Sequence, residues 1–355
     1  PKIYFCVRTG IFRNRARALN NIDLNGFASF YGRQSLTDIY DLNSANDDLD
    51  FNSNTRVGLN LRSELSKEMA VVGQIVATRR VYYSSTTWTS EFDWIFFDYS
   101  PFENWNFRFG RQLFPGSIVG EYVDVGLTYP WRRVPLPYHF IVDFKSYEGL
   151  SAQYSMPIGE NNLSLLLFGG NSGSNEYNSP NFFYEIKDLR GARLKLESED
   201  WQIQVLAGSY RLISYTPGTP PTPTSTGTST IGSVSAHYDN GKLMAYAEYI
   251  SLNCGEADWA ACNGWGHYET IGYHINDWLP HYTYSRGAFR FVQPGSGTSS
   301  NELMTSHTTG LNYNLSSTVV LKTEFMWEKS ESVGGFIMNG SGSARSYAFG
   351  LDLVF

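Results

Sequence analysis

Large apolar residues take every second position of the closing stretch SYAFGLDLVF, where Tyr347, Phe349, Leu351, Leu353 and Phe355 alternate with Ala348, Gly350, Asp352 and Val354. The same period of two recurs in short segments from about Asn21 onward, and helical periodicity is nearly absent. Alternation of this kind sends successive side chains to opposite faces of a strand, so each segment must satisfy two environments at once. The longest apolar runs, such as LSLLLFGG from Leu163 to Gly170, fall well short of the roughly 18 residues that a membrane helix requires. Two architectures remain: a soluble all-β protein, or a closed barrel, the strand architecture that leaves no backbone group unpaired in a bilayer.

The segments show their faces directly. In LNGFASFYGR, Leu24, Gly26, Ala28 and Phe30 oppose Asn25, Phe27, Ser29, Tyr31 and Arg33. In TRVGLNLRSEL, Val57, Leu59 and Leu61 oppose Arg56, Asn60 and Arg62, and in AVVGQIVATRR, Val71, Gly73, Ile75 and Ala77 oppose Gln74, Thr78 and Arg80. NFRFGRQ sets Phe107 and Phe109 against Arg108, Gly110 and Gln112, whereas the ring-rich stretch from Glu91 to Tyr99 gives no clear assignment. Sixteen such segments can be counted, joined by links that alternate between short and long. Short periplasmic turns and longer extracellular loops produce that asymmetry in an outer-membrane barrel; a sandwich has no need of it. Rings flank many of the short links, at Tyr99, Trp105, Trp201, Tyr238, Trp278 and Tyr313, where a membrane interface favours them.

Composition agrees with much half-buried surface: 16% of the residues are aromatic, yet the mean hydropathy is -0.30. A net charge of -7 argues against the clustered basic footprint of nucleic-acid binding. None of the six histidines stands in a G-x-S-x-G or H-E-x-x-H context, so no enzyme is expected. Cys254 and Cys262 bracket a polar stretch that a disulfide would close in an oxidising compartment, a reading on equal terms with two free thiols. The acidic stretch holding Asp41, Asp47 and Asp48 offers the oxygen ligands that Ca²⁺ takes but lacks the spacing of a calcium loop. A solvated acidic loop is the better reading, and no metal or cofactor is expected. Residues 1–20 carry Lys2, Arg8, Arg13, Arg15 and Arg17 without an acid, as a periplasmic tail or an arm entering the lumen would.

Taken together, residues 21–355 resemble the general porins of Gram-negative outer membranes, the sixteen-stranded and usually trimeric type. Three features carry the resemblance: the final strand with its terminal aromatic Phe355, the long link of about residues 113–142 after the fifth segment, and a row of arginines on polar strand faces. The resemblance implies an all-β, antiparallel transmembrane barrel whose third long loop folds into the pore. It implies that Tyr347, Phe349, Leu351, Leu353 and Phe355 serve as a signal to the barrel-assembly machinery. It places Arg33, Arg56, Arg80 and Arg108 on a basic wall facing Glu121 and Asp124, with Arg132 and Arg133 either lining the pore or pinning the loop. Passive diffusion of small hydrophilic solutes and ions would follow, in a homotrimer set among outer-membrane lipid and lipopolysaccharide. Two alternatives stay open: a sugar-selective channel with Tyr122, Tyr129, Trp131 and Tyr138 as a sliding track, and an adhesive barrel without conductance.

Overall fold

The computed structural model describes residues 22–36, 49–51, 55–82, 85–135, 144–173, 183–216, 222–254, 263–292, 299–333 and 342–355. Sixteen strands run through them: β1 (Ile22–Ser35), β2 (Arg56–Glu64), β3 (Met69–Tyr82), β4 (Ser85–Phe102), β5 (Trp105–Leu113), β6 (Ser146–Ile158), β7 (Asn161–Gly173) and β8 (Phe183–Glu197), followed by β9 (Trp201–Thr216), β10 (Thr222–Asp239), β11 (Leu243–Cys254), β12 (Asn263–Tyr273), β13 (Trp278–Val292), β14 (Ser299–Ser316), β15 (Val319–Val333) and β16 (Gly342–Val354). Each pairs antiparallel with its sequence neighbours, and β1 pairs with β16 from Phe27↔Val354 to Ser35↔Ser346, so the sheet closes on itself and has no edge. The last residue takes part: Gly26 N–H donates to the Phe355 carbonyl at 2.8 Å, and Phe355 N–H to the Gly26 carbonyl at 2.9 Å.

The outer surface is apolar, as a lipid-facing wall must be. Leu24, Phe30, Leu59, Leu61, Ile75, Phe109 and Leu150 are exposed, while Phe27, Ser29, Tyr31 and Arg33 of the opposite face are buried. Rings gather at the end of the short turns: Trp105 lies 5.1 Å from Tyr154 and Trp278 4.4 Å from Tyr313, centroid to centroid.

The structure departs from the sequence reading in three places. Three of the long links between segments, Arg80 to Trp88, Ser214 to Thr230 and Phe291 to Glu302, continue as paired strand up to the pairs Tyr82↔Ser85, Thr222↔Thr216 and Val292↔Ser299. Once the membrane portion of a hairpin is in register, each further residue adds ladder bonds, and threonine, valine and tyrosine suit a pleated surface. Second, the faces of β4 were illegible because the strand is bulged. Gln74 pairs with Trp94 but Ile75 with Phe92, which leaves Asp93 as the extra residue. Third, the inner face of the later strands is not uniformly polar. Leu166 and Phe168 on β7, Leu189 on β8, Leu206 on β9, Ile231 on β10 and Ile250 on β11 belong to one buried cluster that also takes in Phe114, Val119, Trp131 and Phe144 of the β5–β6 connection. The barrel has a core, and the loop supplies seven of its 24 described buried residues.

Candidate functional site

The β5–β6 connection enters the lumen at Phe114, whose N–H donates to the Lys145 carbonyl at 2.8 Å and closes the neck of the loop. From there it docks strand by strand on the inner wall. Ser233 of β10 donates to the Gly116 carbonyl at 2.8 Å. The Glu248 carboxylate of β11 accepts from the Ser117 hydroxyl at 3.0 Å, the Ile118 N–H at 2.9 Å and the Ser235 hydroxyl at 2.9 Å. Farther on, the Trp131 indole N–H lies 2.9 Å from both Thr270 of β12 and Thr283 of β13, with its ring against Tyr246 and Tyr268. Asn312 of β14 donates to the Pro130 carbonyl at 2.9 Å, and the Arg132 N–H to Glu324 of β15 at 2.7 Å. Lys322 of β15 donates to the carbonyls of Gly126, Tyr129 and Trp131 at 2.6, 2.7 and 2.9 Å and pairs with Asp352 of β16 at 2.9 Å. A buried ammonium is tolerable only when its charge and all its donors are met, and here they are.

Between these anchors the stretch Glu121 to Asp124 rests Tyr122 and Val123 on the buried cluster and carries its two acids to basic partners on β8 and β2. Glu121, at the 3₁₀ turn Gly120–Tyr122, meets Arg193 of β8 at 2.9 Å. Asp124 meets Lys145 at 2.7 Å and Arg56 of β2 at 3.6 Å, and Lys145 also reaches Asp93 at 2.6 Å. The bulge in β4 delivers that Asp93 carboxylate, which Gln74 also supports at 3.1 Å. Arg56 donates further to the Tyr129 hydroxyl at 2.7 Å. The wall between the two ties holds Arg108 and Asp98, 3.5 Å apart, with the guanidinium over the Phe96 ring. Glu121 keeps 35% of its side chain in solvent and Lys145 28%, whereas Asp124 keeps 10%.

The loop carboxylates are stabilised as anions. Arg193 above all, and then Arg108 and Lys195, hold the Glu121 carboxyl down at about 2. Burial alone would raise Asp124, but Lys145 and Arg56 outweigh it and keep the carboxyl below the usual carboxylate range. Arg132 is shifted the other way, to about 10, by burial and by its neighbour Arg133.

Of the residues singled out from sequence, Arg56 and Asp124 come together, and Glu121 and Arg108 lie near Arg193. Arg33 is buried at 1% exposure and donates to Ser346 of β16 at 3.2 Å. Arg132 is committed to Glu324, and Arg80 pairs in register with Thr87 while its side chain lies outside the described residues. Tyr129 and Trp131, offered as part of a solute track, are buried in the anchoring cluster; Tyr138 lies outside the described residues. So do Cys262 and Asp41, Asp47 and Asp48, and among the described residues no group of acids, histidines and cysteines could hold a metal. The residues the sequence reading missed are Asp93, Lys145, Arg193, Glu248, Lys322 and Asp352.

No family model matches the sequence, and no curated protein does. Solved structures match over nearly the whole length. The outer-membrane channel DcaP of Acinetobacter baumannii aligns with a TM-score of 0.60 at 12% identity, covering 94% of this chain and 97% of that one. The anion-selective porin of Comamonas acidovorans aligns at 0.58 and 11%, covering 94% and 99%. A loop-deletion mutant of OmpT, an outer-membrane protein of Vibrio cholerae, gives 0.58 and 13%, covering 94% and 99%. The chain therefore has the fold seen in outer-membrane porins: a closed sixteen-stranded β-barrel with a loop folded inside it.

Proposed function

We propose that the protein is a porin that conducts small hydrophilic solutes and ions by diffusion, through an aperture bounded by Glu121 to Asp124 on one side and the β2–β8 wall on the other. The observation that carries this reading is the pair of ties that hold that four-residue stretch across the lumen, Glu121 to Arg193 and Asp124 to Arg56 and Lys145. The packed cluster under the rest of the loop lines the wall from β6 to β14, so water and solute are left the sector where Arg108, Lys145 and Glu121 keep solvent contact. Fixed charges of both signs around a narrow opening hold water in place and penalise apolar solutes, which would have to displace it and desolvate the charges. In this reading Arg33 and Arg132 are buried behind the loop, bonded to Ser346 and Glu324, and take no part in selection. A homotrimer is the expected assembly, and the chain performs no chemical conversion.

Planar-bilayer recording tests the proposal. Stepwise ohmic conductance is expected, and in a tenfold KCl gradient Arg108→Gln and Glu121→Gln should shift the reversal potential in opposite directions while Arg33→Gln leaves it in place. Absence of conductance steps, or a larger effect from Arg33 than from either aperture residue, would sink it.

A further inference from the structure

Two aromatic side chains line the lumen on the side that the proposed aperture leaves to solute, where the interior face of a channel-forming barrel is ordinarily polar. Below the bulge the inward positions of β4 are Trp94, Phe96 and Asp98, which pair with Gln74, Val72 and Ala70 of β3. The two rings stack, with centroids 5.5 Å apart and planes at 29°. Tyr129, Trp131 and Phe168 are sealed in the cluster under the loop; Trp94 and Phe96 stand outside it and stay half-buried.

Cations flank this pair. Arg108 of β5 sets its guanidinium 4.9 Å from the Phe96 centroid and meets Asp98 at 3.5 Å. That guanidinium makes no hydrogen bond among the described residues, its buried Nε included, and 22% of the side chain stays in solvent. On the other flank Lys145 keeps 28% of its side chain in solvent while it holds Asp93, the residue next to Trp94. The acids that balance these cations are buried, Asp93 at 4%, Asp98 at 8% and Asp124 at 10% exposure. A solute on this wall therefore meets aromatic faces and positive charge, with the counter-charges behind them.

A carboxylate matches a guanidinium fork that has no hydrogen bond of its own, because two parallel N–H···O bonds form and no protein bond has to break. A flat ring stacks offset on an indole and gains more than its buried area alone would give. Trp94 and Arg108 both lie against Phe96, so one small molecule can span them. A sugar would need uncommitted neutral partners around its rim, and the amides here are spent: Asn106 on Asp98 at 2.7 Å and Gln74 on Asp93 at 3.1 Å.

We infer that Trp94, Phe96 and Arg108 form a binding step inside the channel for small aromatic carboxylates. The ring of the solute lies on Trp94, its carboxylate takes the Arg108 fork, and Lys145 adds attraction from the opposite flank. This assignment rests on the channel reading, since it names a solute class for the same aperture.

Isothermal titration calorimetry of the detergent-purified full chain with phenylacetate at pH 7, paired with planar-bilayer recording, tests it. Saturable binding is expected, about tenfold tighter than that of cyclohexylacetate, which keeps the charge and loses the π face, or of phenylacetamide, which keeps the ring and loses the charge. Trp94→Leu and Arg108→Gln should each weaken binding about tenfold. Arg108→Lys, with the charge but not the fork, should weaken it less, and Trp105→Leu, at an exposed ring of the outer wall, should leave it in place. The solute series on the wild type decides the matter even where a variant does not fold. Equal affinity for the three solutes, or wild-type affinity in Trp94→Leu or Arg108→Gln, overturns the assignment. In bilayers phenylacetate should lower the KCl conductance of the wild type saturably. Ohmic steps without phenylacetate binding defeat the aromatic site and leave the channel reading standing; binding without conductance steps does the reverse.

Discussion

Lys322 is 1% exposed and holds three loop carbonyls and one carboxylate. Removing it strands Asp352 as an unpaired buried charge, although Tyr31 still donates to that carboxylate at 2.5 Å. Lys322→Met should therefore destabilise the barrel by about 3–5 kcal/mol, and adding Asp352→Asn should restore part of the loss. Urea-unfolding midpoints in detergent would show both. Glu121 makes a different kind of prediction. Its folded pKa of about 2 lies below the unfolded value, which is about 4.3. The tie to Arg193 therefore stabilises fully above that value and is lost as pH falls from there through about 2. Single-channel traces of the wild type should become noisier across that window, whereas Glu121→Gln should be as noisy at pH 6 as at pH 3 and show no such transition.

At the scale of the element, the β5–β6 loop is held by packing as much as by charge. The Trp131 side chain sits among Tyr129, Tyr246 and Tyr268 with its indole N–H bonded. Trp131→Ala should release the middle of the loop, at a packing cost of about 3–5 kcal/mol, and give larger, flickering conductance than the wild type in planar bilayers; an unaltered trace would place the aperture elsewhere. The loop's existence and place were legible in the sequence, as the longest link after the fifth segment. The wall it docks on was not, because LSLLLFGG is apolar on both faces: Leu165 and Leu167 point to lipid while Leu166 and Phe168 point to the loop. Period-two reasoning identifies strands but cannot rank two apolar faces. Nor could it find the docking partners, since Lys322 and Glu248 lie far along the chain from the loop atoms they hold and sit in strands with no local mark. Asp93 was hidden for another reason, because a bulge cancels the parity on which face assignment rests.

The molecule as a whole is defined by the β1–β16 seam, and there the sequence reading went furthest. Tyr347 and Phe349 are outward and exposed, and Phe355 carries its backbone bonds to Gly26. Those bonds do not depend on the ring. Phe355→Ala should therefore refold in detergent with little change in unfolding midpoint, yet yield far less heat-resistant barrel when expressed into an outer membrane, if the terminal aromatic is read during assembly. Equal yields in cells would reduce the ring to a minor packing group.

The docking scheme also has a temporal side. The loop is synthesised before β6, but the groups that seat it, Glu248, Thr270, Thr283, Lys322 and Asp352, arrive with β11, β12, β13, β15 and β16. Contacts of such long sequence separation form late. The bore of the channel is accordingly set last: a cylinder whose final strands have not joined holds an unseated loop, and only the completed molecule has a defined gauge.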